Sequence, residues 1–245
     1  MSAINDNLVL LVGKAANGKS ASLRNIKNPE GVLYLNCEAG KKLPFRSKFI
    51  ERVITDPIKH IPQMFMAAEQ KPEIHTIVVD SLTYLLDMYE SKYVLTLANK
   101  MEGWSNFAQF FKYLMQDLVA KSTKNVIFTA HVKDDVTDEM VRETSVPVKG
   151  SLKNNGIESY FSCVIAAKKK KLTDLEEYKS DLLTITPQEE ALGFKYVFQT
   201  MITKDTVNER LRGPMGLFAS NETFIDNDMQ LVLDRLHEYY GDATT

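Results

Sequence analysis

The segment Gly13-Lys14-Ala15-Ala16-Asn17-Gly18-Lys19-Ser20 constrains this chain more than any other. It follows the continuous apolar run at 8–12 (LVLLV) and precedes a helical pattern over 19–26. Glycines at both ends let the main chain curl until successive N–H groups point inward. That makes a nest for an anion at the start of a helix. In the pattern G-x-x-x-x-G-K-[ST], the lysine reaches the β- and γ-phosphates of a nucleotide and the hydroxyl ligates Mg²⁺. Lys19 and Ser20 hold those positions, and Gly13, Lys14, Ala15, Ala16, Asn17, Gly18, Lys19, Ser20 and Ala21 form the candidate phosphate-binding set.

The rest of the chain alternates. Apolar runs at 32–36 (VLYLN), 76–79 (TIVV), 125–129 (NVIFT) and 161–166 (FSCVIA) read as strands buried on both faces. Helical patterns lie at 61–69, 81–97 and 105–121. In the last, Phe107, Phe110, Phe111, Leu114 and Leu118 make an apolar stripe that belongs to the core. Strand and helix in alternation predict an α/β fold with a mostly parallel, twisted sheet and helices on both faces. Strands at 182–186 and 195–203, joined by a turn at 187–193, predict an antiparallel C-terminal extension. A closing helix over 226–240 has Asp226 or Asn227 as its cap and Gly241 just past its end. No repeat or linker divides residues 1–245, which read as one domain.

Composition bounds the partners. Thirty basic against 32 acidic residues give a net charge of −2, which excludes a uniformly basic nucleic-acid binder but not a local basic patch. Two cysteines, Cys37 and Cys163, sit in apolar runs and make no disulfide framework or zinc spacing. The polar start of the chain is no signal peptide, and no apolar stretch approaches the ~18 residues of a membrane span. The expected location is the cytoplasm, with no membrane partner.

Two carboxylates follow strand ends. Asp80 closes the 76–79 run, where it can hold Mg²⁺ through water, or simply cap the next helix. Glu38 lies in Asn36-Cys37-Glu38-Ala39-Gly40, just past the 32–36 strand, where an acid can orient or deprotonate an attacking water. These motifs resemble those of the RecA-type ATPases, whose second strand ends in a similar Asp-Ala-Glu-like segment carrying the catalytic Glu. The resemblance implies a RecA-like P-loop NTPase that uses ATP and Mg²⁺, with Glu38, Lys19 and His131 in catalysis and Ser20 and Asp80 at the metal. In that family the strand matching 125–129 lies between the strands of the two phosphate motifs. A polar residue at its tip senses the γ-phosphate, and His131, in Phe128-Thr129-Ala130-His131, is placed for that role.

A late segment, Thr203-Lys204-Asp205-Thr206-Val207-Asn208-Glu209-Arg210-Leu211-Arg212-Gly213-Pro214-Met215-Gly216, is similar to the Lys-x-Arg and Gly-Pro-x-Gly elements of the DnaB and RadA kind. There, basic residues reach the neighbouring subunit's ATP site. The Gly-Pro-x-Gly tail fits, but Arg210 and Arg212 straddle the expected arginine, and Lys204 is a third candidate. The order of these parts, with Tyr196-Val197-Phe198-Gln199-Thr200 and Phe224-Ile225-Asp226-Asn227-Asp228, is similar to the small phage RecA-like proteins that include the Sak-four single-strand-annealing recombinases.

That resemblance implies single-stranded DNA as ligand, a homo-oligomer in the form of a ring or a DNA-dependent assembly, and a single-strand-binding protein as a further partner. Loops after the third and fourth strands would meet the DNA. Trp104 could stack on bases or pack as core. Lys149 and Lys153 lie in a basic stretch, while 133–143 carries five acids against two bases. Lys168, Lys169, Lys170 and Lys171 form either a solvated hairpin or a DNA-facing edge. With seven residues before the first strand, the N-terminal docking segment of full-length recombinases is not expected. Phe65-Met66-Ala67-Ala68 matches a Phe-x-x-Ala docking motif superficially, and Phe65 is expected in the core. Two rival readings are a nucleotide-switched module that recruits a partner and a small-molecule kinase, although no arginine-rich lid lies mid-chain.

Overall fold

Residues Leu8–Gly13 form β1, buried along its whole length. Its side chains alternate between two cores: Leu8, Leu10 and Val12 enter one, Val9 and Leu11 the other. A strand with helices on both faces requires this period of two, and it explains the unbroken apolar run. The structure is a computed structural model describing residues 5–136, 140 and 142–241, with Asn155 described by its backbone alone.

The chain then makes a six-residue 3-10 helix at Ser20–Asn25, β2 at Val32–Asn36, and β3 at Ile50–Val53. Helix α1 is Pro57–Glu69. The Asp56 side chain caps it by accepting from the N–H groups of Ile58 and Lys59, and Pro57 opens it where no N–H is needed. Strand β4 is Thr76–Asp80. Helices α2 (Leu82–Tyr89) and α3 (Lys100–Tyr113) each run on into a π turn, at Glu90–Val94 and Leu114–Val119. Strand β5 is Asn125–His131, followed by the hairpin strands β6 (Lys133–Val136) and β7 (Arg142–Ser145). Residues 137–139 and 141 of the acid-rich stretch lie outside the described residues. After α4 (Leu152–Asn155) come β8 (Cys163–Lys171), α5 (Pro187–Leu192), β9 (Phe194–Gln199), β10 (Phe224–Asp226) and α6 (Met229–Gly241).

Among the described residues, the main sheet has the order β10-β9-β8-β1-β5-β4-β2-β3. The six strands from β8 to β3 are mutually parallel, and β9 and β10 extend the sheet antiparallel. This is the expected α/β architecture, and β5 does lie between β1 and β4. The C-terminal ends of β1, β2, β4 and β5 therefore gather at one edge. Phe107, Phe110, Phe111 and Leu114 are buried in the core on one side of the sheet, as is Phe65. Both thiols are free and buried. Burial pushes that of Cys163 up to about 12 and that of Cys37 higher still. No helix among the described residues is long and apolar enough to cross a membrane.

Several expectations need correction. The helix after the phosphate loop is a short 3-10 segment rather than a helix over 19–26. Residues 182–186 are not a strand. They run beside β10 with only sparse bonds, Asp226 N–H to Leu182 O at 2.8 Å and Thr184 N–H to Asp226 Oδ1 at 3.1 Å. The turn at 187–193 contains α5, whose capping box joins Thr186 and Glu189. At the last helix, Asp228 rather than Asp226 or Asn227 accepts from the Gln230 N–H, and Gly241 lies inside the helix.

Candidate active site

The phosphate loop leaves β1 with no room for a side chain at its first residue. A Cβ on Gly13 would approach the Ala167 carbonyl oxygen of β8 to 2.8 Å. Further on, Ala16 (φ 61°) and Gly18 (φ 86°) take left-handed conformations that curl the chain. None of the N–H groups of Ala15, Ala16, Asn17 or Gly18 donates to another described residue, so these donors remain available to an anion. Asn17 Nδ2 ties the loop to Ala167 O at 3.1 Å, and exposed Lys14 pairs with Asp134 at 2.6 Å.

Lys19 is buried (7% exposed), and its ammonium donates to the carbonyls of Gly13 (2.8 Å) and Lys14 (3.0 Å). Burial lowers its pKa to about 8, against the raising influence of Asp80 and Glu38. The cation thus lies over the loop, where a phosphate would replace its carbonyl partners.

Asp80, at the tip of β4 and 2% exposed, collects three hydroxyls. Ser20 Oγ and Tyr34 OH each donate to Oδ2 at 2.8 Å, and Thr129 Oγ1 donates to Oδ1. Tyr34 and Thr129 escaped the sequence reading. The available signal was a polar group inside an otherwise apolar strand run, in VLYLN and NVIFT. Burial first, then the Asp80 charge, pushes the Tyr34 phenol far above its ordinary range, so it remains a donor. One carboxylate and one adjacent hydroxyl form an all-oxygen donor set suited to Mg²⁺, with water completing the shell. Ser20 and Asp80 would hold the ion there.

Glu38 follows β2 on a loop shaped by Asn36, whose Oδ1 accepts from the N–H groups of Glu38 (3.0 Å) and Gly40 (3.3 Å). Its carboxylate meets Lys41 at 2.7 Å and His131 Nε2 at 3.6 Å. These partners, His131 first and then Lys41, hold its pKa down at about 2 despite partial burial. His131 ends β5, with its main-chain N–H donating to Thr83 Oγ1 at 2.9 Å. Its Nδ1 lies 3.4 Å from Lys19 Nζ, and the Tyr84 ring packs edge-on against it. With Lys19 donating to Nδ1, the imidazole proton sits on Nε2, toward Glu38. Lys19, Ser20, Glu38, Asp80 and His131 all line one cleft of about 1050 Å³.

The more distant candidates are placed differently. Trp104 is half-buried. Its ring packs edge-on against Phe107 with centroids 5.5 Å apart, and Gly150 lies against it. Lys149 pairs with Glu90 (2.7 Å) and Lys168 with Glu209 (2.6 Å). Lys169 lies 5.2 Å from the Tyr196 ring centroid and Lys170 5.2 Å from that of Phe224. Lys153 and Lys171 are exposed. Arg210 is engaged within its own chain, reaching buried Glu158 at 3.3 Å and Glu143 at 3.9 Å. Arg212 and Lys204 are exposed, and their side chains make no ion pair among the described residues.

A family model described as an AAA domain matches residues 5–204, the stretch containing the phosphate loop, Glu38, Asp80 and His131. The chain belongs to that family. This AAA domain is thus a P-loop domain of the nucleotide-binding kind, with the expected motifs brought into one cleft. Among solved structures it is similar to the flagellar accessory protein FlaH from Methanocaldococcus jannaschii. Identity is 10%, over 80% of this chain and 78% of that one, with a TM-score of 0.36. No curated protein matches the AAA domain.

Proposed function

We propose that this AAA domain hydrolyses ATP with Mg²⁺ and couples the reaction to single-stranded DNA, in annealing or strand exchange of the phage recombination type. The observation that carries the hydrolytic part is the line Lys19–His131–Glu38, in which a phosphate ligand and a general base contact opposite nitrogens of one imidazole. Lys19 and the loop N–H groups would bind the β- and γ-phosphates. Glu38, ionised and facing the cleft, would orient and deprotonate the attacking water. A bound Mg²⁺ would offset phosphate charge beside Ser20 and Asp80. When Lys19 shifts to phosphate, His131 loses a partner, which gives the site a means of reporting occupancy to β5 and the hairpin behind it.

The DNA part is supported by that hairpin, which follows β5 directly and is tied to the phosphate loop through Asp134 and Lys14. Exposed Lys153 and Lys171 offer phosphate contacts. Assembly into a ring or a DNA-dependent oligomer would bring Arg212 or Lys204 toward a neighbouring cleft. A host-cytoplasmic setting and a single-strand-binding protein as partner belong to the same proposal. The second reading, a nucleotide-switched recruiting module, is favoured by one observation: Lys149, Lys168 and Arg210 are already neutralised by acids of their own chain.

The experiment is ATP hydrolysis with and without single-stranded DNA at low salt, beside sedimentation of the same samples. Stimulation that fades with salt supports the first reading. ATP binding without DNA binding at low salt supports the second.

A further inference from the structure

The cleft extends beyond the phosphate loop to Leu43, Pro44, Thr184, Arg24, Tyr196 and Asn227. Two of these residues are unusual. Tyr196 lies on β9, between β8 and β10, yet it remains 36% exposed. Its ring rests against the phosphate loop: a Cβ on Gly18 would come within 3.3 Å of Tyr196 Cδ1. Lys169 Nζ at 5.2 Å and the Phe194 ring at 5.8 Å, nearly perpendicular, hold it in place.

Asn227 is 5% exposed, and its Nδ2 has no hydrogen-bond partner among the described residues. A buried amide donor without an acceptor is unfavourable, so native structures rarely leave one unpaired. The residue is held from both sides. Arg24 Nη1 donates to its main-chain oxygen at 3.0 Å, and its Oδ1 lies 3.1 Å from the position of a Gly18 Cβ. An exposed aromatic ring and an unpaired donor thus flank the same glycine, one residue before the phosphate-binding Lys19.

We infer that Tyr196 and Asn227 form the nucleobase subsite of the cleft. The phenol ring stacks on the base, and the Asn227 amide donates to a ring nitrogen or ribose oxygen. This rests on the reading of the cleft as a nucleotide site. Stacking on an aromatic side chain tolerates any base, so Tyr196 supplies affinity and Asn227 supplies orientation.

The test is calorimetric titration of the full chain with Mg-ATP and, separately, with inorganic tripolyphosphate. Tyr196→Ala should weaken ATP roughly 10–100-fold while tripolyphosphate binds as in the parent protein. Tyr196→Phe, which keeps the ring, should restore most of the ATP affinity. Unchanged ATP binding in Tyr196→Ala, or equal loss of both ligands, overturns the base subsite alone. A parent protein that binds neither ligand overturns the subsite together with the nucleotide reading.

Discussion

Lys14, inside the phosphate loop, forms a 2.6 Å ion pair with Asp134 on the hairpin that follows β5. Asp134 also accepts from Arg142 and, at 2.8 Å, from Thr144, so one carboxylate joins the loop to both hairpin strands. The hydrogen bonds from Lys14, Arg142 and Thr144, in that order, hold its pKa far below the usual carboxylate range. The pair is largely open to solvent on the lysine side, and exposed pairs contribute about 0–1 kcal/mol. Asp134→Asn, which also weakens the Arg142 and Thr144 bonds, should lower stability by about 1–3 kcal/mol in denaturant unfolding. If the hairpin relays occupancy, the same variant should lose DNA stimulation of hydrolysis while keeping the basal rate. Stimulation equal to the parent's would remove the hairpin from the relay.

Glu38→Gln should bind Mg-ATP like the parent and hydrolyse it about 10²–10⁴-fold more slowly, the usual range for a positioned general base. Rapid-quench measurement beside a binding titration separates the two effects. With its pKa held near 2, Glu38 is ionised across the working range, so the acid limb of the rate profile should not report it above about pH 3. Its folded pKa is depressed, so its contribution to stability is complete above about pH 4.5 and fades as pH falls through about 2.

Lys19 shifts in the same direction for the opposite reason, its charged form being penalised and not favoured. Its folded pKa of about 8 lies below the ordinary 10.5, because burial penalises the charged form. Between those values the unfolded chain binds more protons, so the nucleotide-free protein should gain stability as pH rises from about 8 to 10.5. Triphosphate affinity should fall over the same window, since the neutral amine binds phosphate poorly. Titrations at pH 7 and pH 9.5 check this, with Lys19→Ala as the variant in which the pH effect on affinity disappears.

Arg210 and Arg212 can be separated by stability. Arg210→Ala strands Glu158, which is 4% exposed and also accepts from the Val146 N–H at 2.7 Å. It should cost about 1–3 kcal/mol in denaturant unfolding. Arg212→Ala should unfold like the parent. If Arg212 acts across a subunit boundary, its removal should slow hydrolysis by ~10³-fold or more. Mixing Arg212→Ala with Lys19→Ala should then recover part of the rate, and no recovery would leave Arg212 without a role in trans.

The elements most legible in the sequence were those whose environment is uniform. Residues 32–36 read as a strand because both faces are buried, and β2 spans those same residues. The phosphate loop read clearly because its glycines answer to sterics, as Ala167 O shows at Gly13. Strand β3 went unnoticed because Ile50–Val53 is half exposed and carries Glu51 and Arg52. The same holds for β6 and β7, whose charged side chains hide an extended backbone. The partners of Asp80 were illegible for a different reason. Tyr34 and Thr129 meet it across neighbouring strands, 46 and 49 residues away, and no local pattern encodes that register.

Asp80 begins with all its hydroxyl partners in place, Ser20 among them. Cation capture is therefore an addition and not an exchange, since the serine that donates its proton to the aspartate keeps both lone pairs for the ion. An empty cleft whose polar groups satisfy one another can outlast the departure of its nucleotide, and turnover can then proceed from a resting form that is already folded.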